Sequence, residues 1–379
     1  MQAMDSAQSH LLQIAQRVRA AAADATPLRI RGGGTKDFHG LALQGELLDT
    51  RALAGVVSYE PSELVVTVRA GTPLAEVEAL LAAQGQCLPF EPPHFDGDSR
   101  NATVGGMVAS GLSGPSRASV GAVRDFVLGL EMINGQGELL RYGGQVMKNV
   151  AGYDVSRLMA GSWGALGLIT EVSLKVLPVA PAEATLRFAC SQQQALDWLN
   201  AWGGQPLPLN ASCWLQEDGA AQGVLYLRLR GARAAVQAAC ERLGGERMHS
   251  AAADWQACRE QQLPWFTARA PGHALWRLSV PQTAPALALP DGCTGPLIEW
   301  HGALRWVQAP RALGHALRAL AKAAGGSATL FRSEAAGQPG AEPDFEAQAA
   351  DATAALHARL KQAFDPAGIF NRGRLAAAW

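Results

Sequence analysis

"RIRGGGTKDFHG", residues 29–40, puts three glycines directly after a short alternating run and directly before Thr35 and Lys36. A glycine triplet leaving a strand allows successive backbone N–H groups to turn toward one point, and such a concavity suits a phosphate. A triplet is also what an ordinary flexible turn looks like, and with 41 glycines in 379 residues such a run arises readily by chance. Its meaning therefore comes from what surrounds it. Upstream, "MQAMDSAQSHLLQIAQRVRAA" carries Leu11, Ile14, Ala15 and Val18 at helical spacing, which predicts an amphipathic helix rather than a cationic, apolar leader. Downstream, "LLDT" and "GVVSYEP" read as strands, and "ELVVTVRAGT" alternates Val65, Thr67 and Arg69 against Val66 and Val68 as a half-buried strand does. A helix follows, with Thr72 as cap, Pro73 at its first position and Leu74, Val77, Leu80 and Leu81 as one apolar stripe.

Further along, residues 96–122 hold many small residues without apolar periodicity, which predicts a long functional or disordered loop. Next, "DFVLGLEMINGQGELLRYGG" reads as two strands about the Asn134-Gly135 turn, and "SRLMAGSWGALGLITEVSLKVLP" as a glycine-spaced turn entering a strand. Pro178 and Pro181 mark a boundary near residue 180. Beyond it, strand-like runs ("ATLRFA", "GVLYLRLRG", "ALWRLSV", "LIEWHGALRWVQA") mix with helical ones ("QQQALDWLNAW", "ARAAVQAACERLGG", "RALGHALRALAKAAGG"), the order of an antiparallel sheet backed by helices. "SEAAGQPGAEPD", residues 333–344, reads as a solvated linker before a helix and a tail, "DPAGIFNRGRL". The expected organisation is thus an α+β chain: a first domain over 1–180 completed by the 364–379 tail, a second over 181–345, and a helix over 345–363.

Totals narrow the chemistry. A net charge of -1 with 17% charged residues gives no electrostatic reason to bind nucleic acid. No apolar run reaches the length of a spanning helix, so the expectation is a cytoplasmic protein with at most peripheral membrane association. The six cysteines never form a C-x-x-C pair and the eight histidines form no H-E-x-x-H, so neither a metal site nor an iron–sulfur cluster is expected in this chain. The glycines do not open a helix as G-x-G-x-x-G, and "GGGTK" lacks the G-x-x-x-x-G-K-[ST] spacing, which disfavours a Rossmann NAD site and excludes a Walker loop.

Three glycine clusters stand in order: residues 32–34, residues 105–114, and Gly161, Gly164 and Gly167. The succession "RGGGTK", "VVTVRAGTPLAEVEALLAAQGQCLPFEPP", "NATVGGMVASG" and "GSWGALGLITEVSLKV", with the ending "FDPAGIFNRGRL", resembles the PCMH-type FAD-binding domain of vanillyl-alcohol-oxidase-type flavoproteins. Residues 111–167, above all "GGQVMKNVAGYD", are similar to the FAD-binding subunits of bacterial glycolate oxidases.

That resemblance implies two α+β subdomains holding FAD, followed by an α+β cap domain with an antiparallel sheet. It implies that Gly32, Gly33, Gly34, Thr35 and Lys36 meet the pyrophosphate, and that Ala102, Thr103, Val104, Gly105, Gly106, Gly111 and Gly114 run along the bridge and ribityl chain. Gly161, Gly164, Gly167 and Ile169 would pass the adenosine half. Relatives with covalent FAD carry a histidine where Thr35 stands, His39 lies four residues further on, and Cys87 matches no cysteinyl-link motif, so non-covalent FAD is expected. Relatives that oxidise 2-hydroxy acids unaided carry a histidine-rich motif near the end of the cap domain, whereas His301, His315 and His357 are isolated.

Lys148, Asn149, Tyr153 and Asp154 remain as groups that could approach the flavin, and Arg277, Arg305 and Arg332 as substrate clamps. Trp255, Trp265, Trp276, Trp300 and Trp306 read as core or interface residues. The implied function is oxidation of glycolate or a related small 2-hydroxy acid within a complex that includes a second FAD-containing subunit and an iron–sulfur subunit, reaching the inner face of the membrane only through those partners. A stand-alone dehydrogenase of a small hydroxy acid or alcohol, and a non-catalytic FAD-binding assembly subunit, are the alternatives.

Overall fold

The computed structural model describes residues 2–42, 44–95, 97, 101–144, 154–217, 219–333, 352–376 and 379. Lys148, Asn149 and Tyr153, and all of the expected linker but Ser333, lie outside them. The described residues form two units. One takes in those up to Leu112, those from Ala122 to Pro178, and the C-terminal ones from 352 on; the other takes in Ser113–Gly121 and the residues from Val179 to 333. No helix among the described residues is long and apolar enough to cross a membrane.

In the first unit the helix α1 (Gln2–Ala23) buries Ile14, Ala15 and Val18, the expected stripe, with Leu11 packed at its edge. They pack on Leu28 and Leu48 of two short parallel strands, β1 (Leu28–Arg31) and β2 (Glu46–Asp49), and on Ile369 and Phe370 from the tail. A five-stranded antiparallel sheet follows, built from β3 (Val56–Glu60), β4 (Val65–Arg69), β5 (Val127–Ile133), β6 (Leu139–Gly143) and β7 (Leu168–Lys175) in the order β3-β4-β7-β5-β6.

β4 is not half-exposed as its alternation suggests. It lies between two neighbours with both faces covered, Val65 through Val68 all being buried, and its one polar residue there, Thr67, shares a hydrogen bond with Ser173 at 2.8 Å. The helix α2 (Leu74–Ala82) begins one residue later than expected, because the Thr72 hydroxyl donates to the Arg69 carbonyl (2.7 Å) and accepts from the Gly55 amide (3.0 Å) instead of capping.

Residues 101–122, expected to be loop, contain the helix α3 (Val104–Ser110). Thr103 caps it through its hydroxyl, Gly111 ends it at φ +63°, and Val104, Met107 and Val108 are buried. Small residues hide this periodicity in the sequence, because alanine and glycine satisfy the packing without contributing to an apolar stripe. The C-terminal helix Ala352–Phe364 packs back on this unit through Lys361, whose ammonium donates to the carbonyls of Ala165 (2.7 Å) and Phe370 (3.0 Å) and to Asp365 (2.7 Å).

The second unit is an eight-stranded antiparallel sheet. Its strands are β8 (Ala182–Cys190), β9 (Leu209–Leu215), β10 (Gly223–Gly231), β11 (Glu246–Met248), β12 (His273–Ser279), β13 (Thr294–Glu299), β14 (Leu304–Pro310) and β15 (Ser327–Arg332), in the order β11-β8-β10-β9-β13-β14-β12-β15. The run "LIEWHGALRWVQA" is thus two strands. Trp300 and His301, both at φ +54°, with Gly302 at φ +102°, make the reversal between them. One sheet face carries Leu225, Leu227, Leu229, Trp276 and Val307 under the helices α4 (Gln192–Gly203), α5 (Arg233–Leu243) and α8 (Gly314–Ala323). Strand alternation sends Tyr226 and Arg228 to the other face. There two helices contribute, α6 (Ala252–Arg259) and α7 (Pro264–Thr267).

Candidate FAD-binding site

A narrow cavity of about 90 Å³ opens in the first unit where β1 ends. Thr50 fixes that end, its amide donating to the Arg31 carbonyl at 3.0 Å. The chain then turns through Gly32, Gly33 and Gly34 and closes on itself with Asp37 N–H to Gly34 O at 3.1 Å and His39 N–H to Lys36 O at 3.2 Å. Gly34 sits at φ +74°, the left-handed region that only glycine enters cheaply. Among the described residues, the amides of Gly32, Gly33, Gly34 and Thr35 have no acceptor. Four successive N–H groups in a turn of this kind form a fixed positive concavity, the arrangement that binds anions.

Side chains add to the field. Lys36 is buried, with its ammonium on Thr35 Oγ1 and the His94 carbonyl, each at 3.2 Å. Arg374, also buried, donates to the Lys36 carbonyl at 2.8 Å and lies 5.2 Å over the Trp163 ring, which stacks on His39 at 4.0 Å. Arg31, by contrast, is paired with Asp37 at 2.7 Å. Asn371 ties three parts of the rim together: its carbonyl oxygen accepts from Ile30 N–H and its amide donates to Trp163 O, both at 2.8 Å.

The structure brings Gly32, Gly33, Gly34, Thr35, Lys36, Thr103, Gly105, Gly106, Gly164, Gly167 and Ile169 together around this cavity. Ala102, Val104, Gly111, Gly114 and Gly161 do not line it, and each has another task. The Ala102 carbonyl accepts from Leu74 N–H at 2.7 Å, and Val104 is core. Gly111 and Gly161 pack against each other; a Cβ on Gly111 would lie 2.9 Å from Gly161. Gly114 belongs to the second unit, where its carbonyl accepts from the Trp300 indole at 3.0 Å. That contact, with Arg117 4.4 Å over the same ring, is why residues 113–121 depart from the expected first domain.

In the second turn, unlike the first, the amides are engaged. Val104 N–H donates to Thr72 O at 3.0 Å, Gly105 N–H to Ala70 O at 2.7 Å and Gly106 N–H to Thr103 Oγ1 at 3.3 Å. This turn gives the cavity a smooth wall instead. Sequence reasoning missed Thr50, Ala70, Ala109, Ser110, Trp163, Asn371 and Arg374, which also line the cavity. The order of the glycines gave no signal for them; only "FNRGRL" in the tail pointed toward the last two.

Arg305, expected as a substrate clamp, is engaged with backbone carbonyls inside the second unit. It is fully buried, and its guanidinium donates to the carbonyls of Gly302 (3.2 Å), Pro285 (2.5 Å) and Ala284 (2.6 Å), while burial brings its pKa down to about 10. Arg332 donates to Gln261 at 2.9 Å, with burial foremost and then Arg269 lowering its pKa to about 10. Arg277 lies 5.3 Å over the Trp300 ring. Asp154 caps a short helix, Val155–Leu158, by accepting from Arg157 N–H at 3.2 Å.

The cavity is well below the roughly 300–1,000 Å³ of pockets that enclose a drug-sized ligand. It fits the doubly charged bridge of a dinucleotide: unengaged amides, two buried cations and glycine walls whose Cα surfaces allow close approach. The residues present therefore suit FAD at its pyrophosphate.

The FAD binding domain family matches residues 9–143. The chain is 46% identical to glycolate oxidase subunit GlcE of Escherichia coli (strain K12) over 363 residues, 96% of each chain. Glycolate oxidase subunit GlcD of Bacillus subtilis (strain 168) is 30% identical over 162 residues, 42% of this chain and 34% of that one. Among solved structures, alkyldihydroxyacetonephosphate synthase superposes with a TM-score of 0.60 over 95% of this chain and 74% of that one, at 14% identity, which is a likeness of fold alone. The fold is therefore α+β, an FAD-binding domain of PCMH type with an antiparallel-sheet domain after it, and FAD is the cofactor. A likeness at that level from end to end makes this chain a member of the glycolate oxidase subunit GlcE family.

Proposed function

We propose that this chain is the FAD-binding subunit of a glycolate oxidase assembly that converts glycolate, or a closely related 2-hydroxy acid, to the 2-oxo acid. The observation that carries the reading is the run of four unengaged amides at residues 32–35 beside buried Lys36 and Arg374. These groups hold the FAD bridge without a covalent link. Thr103, Gly105 and Gly106 keep the opposite wall free of side-chain bulk, and Gly164, Gly167 and Ile169 complete the rim. Asn371 locks the rim in shape, so the amides need no rearrangement when the anion arrives.

Bound FAD supplies two-electron acceptance from the hydroxy acid. The chain's six cysteines lack the spacing of a cluster motif, so onward transfer falls to an iron–sulfur subunit, with a second flavoprotein subunit as further partner. The test is turnover of glycolate with an artificial electron acceptor, measured on the isolated chain and on the chain copurified with its partner subunits. The isolated chain is expected to keep FAD and show under a tenth of the assembly's turnover. Equal turnover by the isolated chain would overturn the subunit reading in favour of a stand-alone dehydrogenase.

A further inference from the structure

The second unit contains a larger cavity that the reading above does not use. It encloses about 460 Å³ between the sheet face opposite α4, α5 and α8 and the segment carrying α6 and α7. That volume lies in the range of small-molecule sites. Burial grades its lining from floor to mouth. Thr185, Cys213, Trp255 and Cys258 are buried, and the rings of Tyr226 and Trp265, with Met248 and Leu263, are half-buried. Gln216, Glu217, Asp254 and Ala268 are exposed and mark the opening.

The floor is set before any ligand arrives. The Trp255 indole donates to Thr185 Oγ1 at 2.9 Å. The Cys258 thiol donates to Glu299 Oε1 at 3.1 Å, and its hydrogen bond with Cys213, its burial and the Glu299 charge all raise its pKa, so it stays a neutral thiol. Trp306 donates to the other Glu299 oxygen at 2.7 Å. The Arg228 guanidinium, 4.9 Å from the Trp255 ring, donates to Asn210 at 2.6 Å and does not line the cavity. The interior is thus aromatic and uncharged.

The mouth differs in sign. Glu217, two residues past the end of β9, and Asp254, on α6, bring carboxylates to it from separate elements. Neither carboxylate has an ion-pair partner among the described residues, and no lysine, arginine or histidine among them lines the cavity. An aromatic interior under an acidic mouth suits a molecule with an apolar ring body and a cationic end. The body displaces water from the rings, while the cation stays hydrated beside the carboxylates and avoids the cost of burying a charge. A carboxylate is repelled at the same mouth, which separates this space from the hydroxy-acid chemistry, and a neutral molecule of equal shape forgoes the attraction.

We propose that the second unit binds an organic ammonium ion with an aromatic body, its rings among Tyr226, Trp255 and Trp265 and its ammonium beside Glu217 and Asp254, on residues that the FAD groove does not share. The test uses the FAD-loaded chain with three probes of one shape: 1-naphthylmethylammonium, 1-naphthylmethanol and 1-naphthoate. Saturation-transfer NMR and calorimetry should show one saturable site for the ammonium and binding at least about tenfold weaker for the alcohol and the carboxylate. The double variant Glu217→Gln, Asp254→Asn changes two exposed side chains without changing their shape. It should weaken the ammonium about fivefold and leave the alcohol's affinity and the flavin content unchanged. Thr294→Phe, which fills the cavity from its lining, should abolish ammonium binding at unchanged flavin content, with Ala251→Phe as the second filling variant should the first not fold. Absence of saturable ammonium binding, equal or tighter binding of the alcohol or the carboxylate, or ammonium affinity unchanged in the double variant or in a folded filling variant would each overturn the proposal.

Discussion

Gly32, Gly33 and Gly34 lack side chains for two different reasons. A Cβ on Gly32 would lie 2.3 Å from the Thr103 hydroxyl and one on Gly33 1.6 Å from the Asn101 carbonyl, whereas Gly34 needs its left-handed backbone. The sequence pointed to this triplet as a phosphate cradle, but it could not show that two of the three glycines serve the approach of the 101–103 segment. Arg305 teaches the converse: its place on a strand suggested a clamp, and only the structure shows three carbonyls around it. The His301 ring lies between Ser119 (Nε2 to Oγ, 3.0 Å) and Ser212 (Nδ1 to Oγ, 3.1 Å), and burial lowers its pKa from 6.5 to about 4. Between those two pH values the unfolded chain binds a proton that the folded chain does not, so this residue makes stability fall as pH drops through that window. The loss approaches about 3 kcal/mol at its lower end. Urea unfolding at pH 7 and pH 4.5 should therefore show a smaller acid loss for His301→Asn, a residue that tolerates the left-handed backbone, than for the wild type. Equal losses would contradict this assignment.

Elements were legible where one face is apolar and the other polar. α1 and the hairpin about Asn134 follow their patterns, the latter with Asn134 Oδ1 accepting from both Gln136 and Glu138 amides at 3.0 Å. β4 misled because a central strand is covered on both faces, and α3 because small residues carry no periodic signal. The C-terminal helix hides its main contact for another reason: a lysine near a helix end reads as solvated, whereas Lys361 is buried against Asp365, whose carboxylate also accepts from Ile369 (3.1 Å) and Phe370 (2.8 Å) amides. Burial lowers the Lys361 pKa despite this partner. Removing one member of such a pair strands the other charge, so Lys361→Met should destabilise the first unit by about 3–5 kcal/mol. Urea midpoints of the two proteins measure it, and a loss below about 1 kcal/mol would show that the pair is solvated.

At the scale of the whole molecule, the order of the three glycine clusters pointed to the right fold, and a synthase at 14% identity shares that fold over 95% of this chain. Which clusters meet was not legible, since convergence depends on tail residues such as Asn371 and Arg374, more than 200 positions from the turns they join. The central claim is that the amides at 32–35 and the wall opposite them enclose the FAD bridge. Gly106 on α3 offers the most direct test, because it lines the cavity without positive φ and a Cβ there would approach only the Thr103 hydroxyl, at 3.2 Å. A leucine at this position suits the helix and fills the groove. FAD released by acid precipitation and quantified per chain should be near one for the wild type and below about a tenth of that for Gly106→Leu, with the thermal unfolding of the two flavin-stripped proteins alike. Wild-type FAD occupancy in a folded Gly106→Leu protein would contradict the account.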